Sequence, residues 1–269
     1  MIRDITLGQY YQTDSCIHRL DPRVKLLGTI LFIISLFTIK NFTGYLIAIA
    51  FLAGVIKLSH VPFRFMVKGM RAILFLLMIT VIFNLFLTPG ETLIAFWKLR
   101  ITKEGLRIAV FMALRLTFLI VGSSLMTLTT TPNNLTDGME KLLKPLQRFR
   151  VPVHEISMMM SIALRFIPIL LEETDKIMKA QIARGADFES GNLIKKAKSL
   201  VPLLVPLFIS AFRRANDLAM AMEARCYRGG EFRTKMKPLA YKKQDFMAYL
   251  VMIVYLMIVI IVGRVLVLI

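Results

Sequence analysis

Two arginines, each set between small residues, are the side chains in this sequence best suited to specific recognition. They lie in a first triplet, Ala183-Arg184-Gly185, and a second triplet, Ala224-Arg225-Cys226, and each triplet follows a long helical pattern. A guanidinium is a planar fork that can bind a carboxylate through two parallel hydrogen bonds. Small neighbours would let such a helix end enter a narrow groove. The structural alternative is an arginine that only caps a helix C-terminus, where unsatisfied carbonyls favour a cation.

The sequence lacks the common arrangements of catalytic and cofactor-binding residues. No glycine is followed by lysine, so a P-loop for ATP is excluded. His18, His60 and His154 each lack a partner four residues away, which argues against a zinc site. Neither Gly-x-Ser-x-Gly nor His-Glu-x-x-His occurs. We therefore expect no catalytic residue, no bound cofactor and no metal in this chain.

Composition indicates a membrane protein with one strongly basic side. Of the 269 residues, 57% are apolar, and the net charge is +18; soluble domains are about 45–50% apolar. Between Pro132 and Gln244 there are 20 Lys and Arg against 11 Asp and Glu. Such stretches stay on the cytoplasmic side during insertion and can meet anionic lipids or acidic partners. We expect no nucleic acid partner, because no basic run is interleaved with stacking aromatic residues.

Uncharged apolar runs predict an all-α, polytopic membrane protein with about five transmembrane helices. The runs are Leu26–Ile39, Asn41–Ile56, Ala72–Gly90, Leu116–Thr136 and Phe246–Gly263. The last three have the ~20 residues, within a range of about 17–25, that a spanning helix needs. The first two are shorter and span only if Lys25, Lys40 and Lys57 anchor their ends by snorkelling. A re-entrant hairpin is the competing interpretation.

The distribution of charge predicts the orientation. With five spans, the N-terminus, the loop between the second and third runs and the long basic stretch all fall on one side, the cytoplasmic one. The loop Glu91–Arg107 then lies outside, and its Trp97 suits the interface. Arg115, near the outer end of the fourth run, is expected to snorkel. No acidic residue lies within the five runs, which argues against an ion-coupled carrier.

The motif Asp21-Pro22-Arg23 predicts the start of the first membrane helix. An aspartate before a helix accepts from its free N–H groups, and proline at the first helical position loses no hydrogen bond. Arg23 and Lys25 would then mark the membrane edge. A plain helix cap with anchoring charges also accounts for these residues.

The basic stretch holds three helical patterns, Asn133–Arg148, Val153–Ala183 and Asn192–Arg225. Pro202 and Pro206 predict a kink in the third pattern or its division into two helices. The apolar parts of the second and third patterns are expected to pack on each other at the cytoplasmic interface and to offer an apolar surface; the alternative is a sixth and seventh span. The residues that we assign to that surface are Met158, Met159, Phe166, Pro168, Pro202 and Pro206.

This organisation predicts three regions: four membrane helices in 1–131, long cytoplasmic-side helices in 132–244, and a last membrane helix in 245–269.

Three segments resemble the transmembrane T component of energy-coupling factor transporters. They are DSCIHRLDPRVKLL (Asp14–Leu27), MMMSIALRFIPILLEETDKIMKAQIARGAD (Met158–Asp187) and AMAMEARCYRGG (Ala219–Gly230). The resemblance implies a membrane protein of prokaryotic cells that joins two ABC-type ATPases to a substrate-binding S component. ATP would be bound by the partner chains, which fits the missing P-loop. The imported substrates of such transporters are vitamins and transition-metal ions.

The resemblance also implies roles for the two triplets. They match motifs at the ends of the family's coupling helices that dock in grooves of the two ATPases. Cys226 stands where many relatives have glycine, which puts in doubt only a need for special backbone freedom there. The apolar surface of the coupling helices would face the S component.

Two other functions remain open at this point. A permease of an ordinary ABC importer would line several spans with polar residues, and the runs offer few beyond Ser35, Asn84, Ser123 and Ser124. A membrane enzyme acting on lipids would need clustered acids or histidines near the interface, whereas the acids here are scattered.

Overall fold

The computed structural model describes residues 10–39, 41–96, 99–186, 188, 192, 194, 198–230, 236 and 238–265. Its helices within these ranges are α1 (Pro22–Thr38), α2 (Phe42–Ser59), α3 (Phe63–Leu87), α4 (Lys103–Thr129), α5 (Pro132–Leu143), α6 (Val153–Ala183), α7 (Val201–Ala224) and α8 (Lys243–Val265). A 3₁₀ helix covers Lys144–Phe149, and β1 (Thr92–Phe96) pairs antiparallel with β2 (Leu99–Thr102). The predicted all-α fold is confirmed, with this short hairpin as an addition.

The contacts divide the chain into two compact units. One comprises Gly8–Lys141 together with Leu239–Ile269 and holds α1 to α4, most of α5, and α8. The other contains Leu142–Pro238, with α6 and α7. The helices before and after the basic stretch thus belong to one unit, although chain order separates them. The three predicted regions follow chain order and not contacts between residues. This division therefore does not test them, and they stay a prediction.

The first helix begins where Asp21-Pro22-Arg23 predicts. The Asp21 carboxylate accepts a 2.9 Å hydrogen bond from the backbone N–H of Arg23, and Pro22 occupies the first turn, where its missing N–H is not needed. The Arg23 guanidinium donates to the carbonyl of Leu239 at 3.0 Å and lies 4.8 Å from the centre of the Tyr241 ring. The motif therefore ties α1 to the segment leading into α8. Its location at a membrane edge stays a prediction.

Asp245, in the first turn of α8, completes this junction. It is 1% exposed, and its carboxylate accepts hydrogen bonds from the backbone N–H groups of Asp21 at 2.8 Å and Lys242 at 2.7 Å. Asp21 is itself buried, so water cannot replace Asp245 as the acceptor for its N–H. One carboxylate thus joins the first turns of two helices that are 224 residues apart in sequence.

Replacing Asp245 with alanine is expected to lower the free energy of unfolding by about 2 kcal/mol, because a buried N–H loses its only acceptor. Asp245→Asn keeps one acceptor oxygen and should lose less. The midpoint of thermal unfolding in detergent measures both effects. The matched control is Asp217→Ala, an exposed aspartate on α7. Equal midpoints for Asp245→Ala and the control would contradict this role.

The core of the first unit lies among α1, α2, α4 and α8. Its largest buried side chains include Phe32, Leu36 and Tyr45. Tyr255 of α8 shares a 2.9 Å hydrogen bond with Ser35, and its ring stacks on Phe51 with 4.2 Å between ring centres. Large apolar side chains are meanwhile exposed on the outer helix faces, among them Leu46 at 70% and Phe75 at 73%. This pattern suits helices whose outer faces meet lipid.

Four helices of the described residues are long and apolar enough to cross a membrane: α2, α4, α6 and α8. Three of them contain or overlap the second, fourth and fifth predicted spans. The first and third predicted spans correspond to α1, with 17 residues, and to α3, whose apolar part is Leu74–Leu87. The remaining candidate is α6, the helix that the sequence places at the cytoplasmic membrane interface. Its interfacial location stays a prediction, since its length and composition also allow a span.

The loop predicted at Glu91–Arg107 contains more structure than its charges indicate. Strands β1 and β2 pair across it, with Thr92 opposite Thr102, and α4 already begins at Lys103. Thr102 caps α4, since its hydroxyl accepts from the N–H of Gly105 at 3.0 Å. The fourth predicted span, Leu116–Thr136, is also shifted. It starts too late and runs past the true helix end at Thr129, because Thr130 is extended and a new helix starts at Pro132.

Arg115 is therefore not near a helix end. It lies close to the middle of the 27-residue α4. Its guanidinium donates to the carbonyl of Ile39 at 3.5 Å and lies 5.2 Å from the centre of the Phe37 ring. The C-terminal end of α1 thus supplies Arg115 with a carbonyl partner within the protein, and the predicted snorkelling stays a prediction.

Prolines set the helix boundaries in the basic stretch, though only partly as expected. The predicted helix Asn133–Arg148 becomes 3₁₀ from Lys144, next to Pro145. Val153–Ala183 is confirmed at both ends and passes through Pro168 unbroken. The predicted division of the third pattern is confirmed at Leu200, a turn residue that separates helical residues 198–199 from α7, which begins at Val201. Pro202 lies in its first turn, where it costs no hydrogen bond, and Pro206 removes only one. Much of 192–200 lies outside the described residues.

Candidate functional site: two exposed helix ends

The first triplet closes α6 in a complete C-terminal capping motif. Arg184 is the C-cap residue, and Gly185 follows in the left-handed region with φ +88°. The N–H of Gly185 donates to the carbonyl of Ile182 at 2.9 Å, and that of Ala186 donates to Gln181 at 3.0 Å. These are the two bonds of a Schellman motif, which requires a residue that tolerates positive φ after the cap.

The second triplet closes α7 in the same way. Arg225 is the C-cap residue, and Cys226 takes the left-handed conformation with φ +55°. The N–H of Cys226 donates to Glu223 at 2.8 Å, and that of Tyr227 donates to Met222 at 3.0 Å. This position therefore does need special backbone freedom, and the chain adopts the strained conformation with a cysteine. The backbone at both arginines is thus built alike.

The residues of both triplets are exposed. Among the described residues, neither the Arg184 nor the Arg225 guanidinium makes a hydrogen bond or an ion pair. Each capping motif satisfies its last carbonyls through backbone N–H groups, so the arginine side chains are not needed to cap the helices. Both charges are therefore available to a partner. This argues against the interpretation of these arginines as ordinary helix caps.

Helices α6 and α7 pack against each other in antiparallel orientation. Early in α6, the ring of His154 packs against Gly230, beyond the end of α7; a Cβ on that glycine would lie 2.3 Å from the ring. Further along, Glu173 of α6 forms an ion pair with Arg214 of α7, with 2.9 Å between Oε2 and Nη2. The C-terminal ends of α6 and α7 therefore point away from each other. The two exposed arginines lie on opposite sides of the helix pair.

A cavity of about 270 Å³ separates α6 from α7 beside this ion pair. It is lined by Ile162, Phe166, Leu170, Ala211, Arg214, Ala215, Leu218, Ala219 and Met222. Three alanines at intervals of four residues leave this space on the α7 side. The packing between the two helices is thus loose next to their ion pair.

The residues assigned to the apolar surface lie on the same two helices, with different exposure. Met159, Pro168 and Pro202 are exposed, whereas Met158, Phe166 and Pro206 are half-buried. Phe166 lines the cavity, and so contributes to packing between the helices. Phe208 and Phe212 of α7 are also exposed and extend the apolar surface, although they were not among the predicted residues. Whether a partner covers this surface stays a prediction.

Within the described ranges, no group of three or more His, Cys, Asp and Glu side chains is arranged to hold a metal ion.

Replacing Gly185 with alanine is expected to destabilise the α6 end by about 1 kcal/mol, because a Cβ is unfavourable at positive φ. Cys226→Gly should stabilise the α7 end by about 0.5 kcal/mol, since the relief of strain exceeds the added freedom of the unfolded chain. Amide hydrogen exchange measures both: Ala186 should exchange faster in the first variant and Tyr227 slower in the second. The unchanged end serves as the control. Unaltered exchange of Ala186 in Gly185→Ala would contradict this assignment.

Comparisons with known proteins agree with this architecture. The family model described as "CbiQ: Cobalt transport protein" matches residues 13–237. The energy-coupling factor transporter transmembrane protein EcfT of Clostridium kluyveri is 60% identical over 252 residues, covering 93% of both chains. The proteins of the same name from Thermosediminibacter oceani and Bacillus subtilis are 57% and 47% identical, over 93% and 91% of this chain. The chain therefore belongs to the family of energy-coupling factor transporter transmembrane proteins.

Proposed function

We propose that this chain is the coupling subunit that passes ATP-driven motion from two ABC-type ATPase subunits to a membrane S component, which binds the substrate. The observation that carries the proposal is the pair of exposed arginines, held in the same capping geometry at opposite ends of α6 and α7. Two like ends pointing apart suit two separate but similar partners. The membership of relatives in an energy-coupling factor transporter supports a complex of several subunits.

The C-terminal end of each helix, α6 and α7, would dock in a groove of one ATPase and move with it as a rigid element. A helix of 31 or 24 residues transmits displacement along its axis, because all its backbone hydrogen bonds run parallel to that axis. Acidic side chains in each groove would bind the planar guanidinium through two hydrogen bonds. Movement of the ATPases on binding ATP would then displace α6 and α7, whose apolar surface would pass the displacement to the S component.

In this proposal the chain is not an enzyme and holds no cofactor, because ATP is bound by the partner chains. It lies in the plasma membrane of a prokaryotic cell, with the N-terminus and both arginine-bearing helix ends in the cytoplasm. The excess of 20 basic over 11 acidic residues in 132–244 supports that side. It can also favour docking on acidic protein surfaces.

The test compares the purified chain alone with a complex reconstituted in proteoliposomes with its ATPases and one S component. The isolated chain is expected to bind no vitamin or metal substrate and to hydrolyse no ATP, and the complex is expected to import substrate on ATP hydrolysis. Substrate binding by the isolated chain would contradict the proposal and favour a permease that encloses its own substrate path.

A further inference from the structure

The ion pair between α6 and α7 joins the two helices through a directional contact. Both Nη2 and Nε of Arg214 donate to Oε2 of Glu173, at 2.9 and 3.3 Å. The side chains of Glu173 and Arg214 are 23% and 39% exposed, so the contact is partly shielded from water. Two nitrogen atoms of one guanidinium thus converge on a single carboxylate oxygen.

The ion pair lies at the same distance from both exposed arginines. Arg184 follows Glu173 by eleven residues, and Arg225 follows Arg214 by eleven residues. At a rise of 1.5 Å per residue, each helix extends about 17 Å from the ion pair to its capping arginine. Because α6 and α7 run in opposite directions here, the two extensions leave the ion pair on opposite sides. The ion pair therefore divides the distance between the two ends equally.

The apolar side chains beside the ion pair do not pack tightly enough to fix the position of α6 relative to α7. The 270 Å³ cavity is lined on the α6 side by residues before Glu173, and on the α7 side by Ala211, by Arg214 itself and by residues after it. Loosely packed helices can slide or rotate at little cost, because few interlocking side chains must be displaced. A charged pair with two hydrogen bonds from one guanidinium is directional and favours a single register.

We infer that Glu173 and Arg214 form the positioning pair that fixes where α6 and α7 cross and so keeps both arginine ends at equal distances from the crossing. This inference rests on the proposed function for its effect on transport, but not for its effect on helix position. Equal distances would let two similar ATPase movements reach the crossing with equal displacement. Loss of the pair would let the ends shift relative to each other, so that ATP is hydrolysed without a matching movement of the S component.

The helix positions are tested with spin labels at Lys179 and Met220, which lie six residues beyond the ion pair on each helix and are both exposed. The exposed native cysteines Cys16 and Cys226 are first replaced by serine. We expect Glu173→Arg and Arg214→Glu each to broaden the distance distribution between the labels roughly twofold. The charge-swapped double variant should restore the narrow distribution. The matched control is Glu172→Arg, at the exposed neighbour of Glu173.

A second measurement uses the reconstituted complex and counts ATP hydrolysed per substrate imported. This ratio should rise in each single variant and return to its original value in the charge swap. Unchanged distances in the single variants, or a swap that fails to restore them, would overturn the inference. If the distances respond as expected but the chain does not assemble with any ATPase, the proposed function fails and the positioning role stands. If the distances do not respond and transport is intact, the positioning role fails and the proposed function stands.

Discussion

Reversing the charge of either exposed arginine, by Arg184→Glu or Arg225→Glu, is expected to abolish substrate uptake while the protein remains in the membrane. Each arginine end would meet an acidic groove, and a reversed charge there costs more than about 2.7 kcal/mol, or a hundredfold in affinity. Both single variants should fail, because in the proposed function each end docks on a different ATPase. Uptake by cells that express the complete transporter measures the effect, with the amount of protein in the membrane followed in parallel.

Three variants show whether charge alone decides the outcome. Arg184→Lys and Arg225→Lys keep the charge but lose the planar fork, so uptake should fall by about tenfold rather than disappear. The matched control is Arg213→Glu, an exposed arginine in the middle of α7 that should leave uptake nearly unchanged. Full uptake in both charge-reversed single variants and in their combination would show that the triplets have no part in transport.

The variant Met159→Asp is expected to release the S component while both ATPases stay bound. Met159 is 58% exposed on α6, within the apolar surface proposed to meet the S component. A carboxylate in an apolar interface loses its hydration without gaining a partner, which costs several kcal/mol. Because the side chain is exposed in this chain, the fold itself should tolerate the change. Affinity purification of the complex, followed by quantification of each subunit, measures the result.

The matched control for this variant is Met236→Asp. Met236 is fully exposed and lies outside α6 and α7, so the same change of side chain should leave all subunits bound. Loss of the ATPases together with the S component from Met159→Asp would point to misfolding of α6 rather than to a lost interface. Retention of the S component would move its binding site away from this part of α6.

Local sequence signals predicted much of the fold correctly. The bounds of α6 follow from its apolar periodicity and from Gly185, and the start of α1 follows from Asp21 and Pro22. The hairpin at 92–102 was not predicted, because the charges of this segment indicate a loop, although Thr92 and Ile94 alternate as in a strand. The junction through Asp245 could not be predicted, since nothing in a single sequence relates residues 224 positions apart.

In the candidate site, too, local features were predicted from the sequence and three-dimensional features were not. Arg184 and Arg225 were identified because residue type and spacing are visible in the sequence. The left-handed conformation of Cys226 was not, because cysteine carries no preference for it. Glu173 and Arg214 were also missed, although they are separated by the same 41 residues as the two arginines. That shared interval acquires meaning only when the helices are known to run in opposite directions.

The central claim is tested most directly by purifying the tagged chain from native membranes and identifying by mass spectrometry what remains bound. We predict two ABC-type ATPases and a small membrane protein, with the ATPases lost from the double variant Arg184→Glu, Arg225→Glu. Recovery of the intact, stable chain alone, unaffected by the two substitutions, would contradict the account. It would mean that the triplets are ordinary helix ends and that the membrane region itself should be tested for substrate binding.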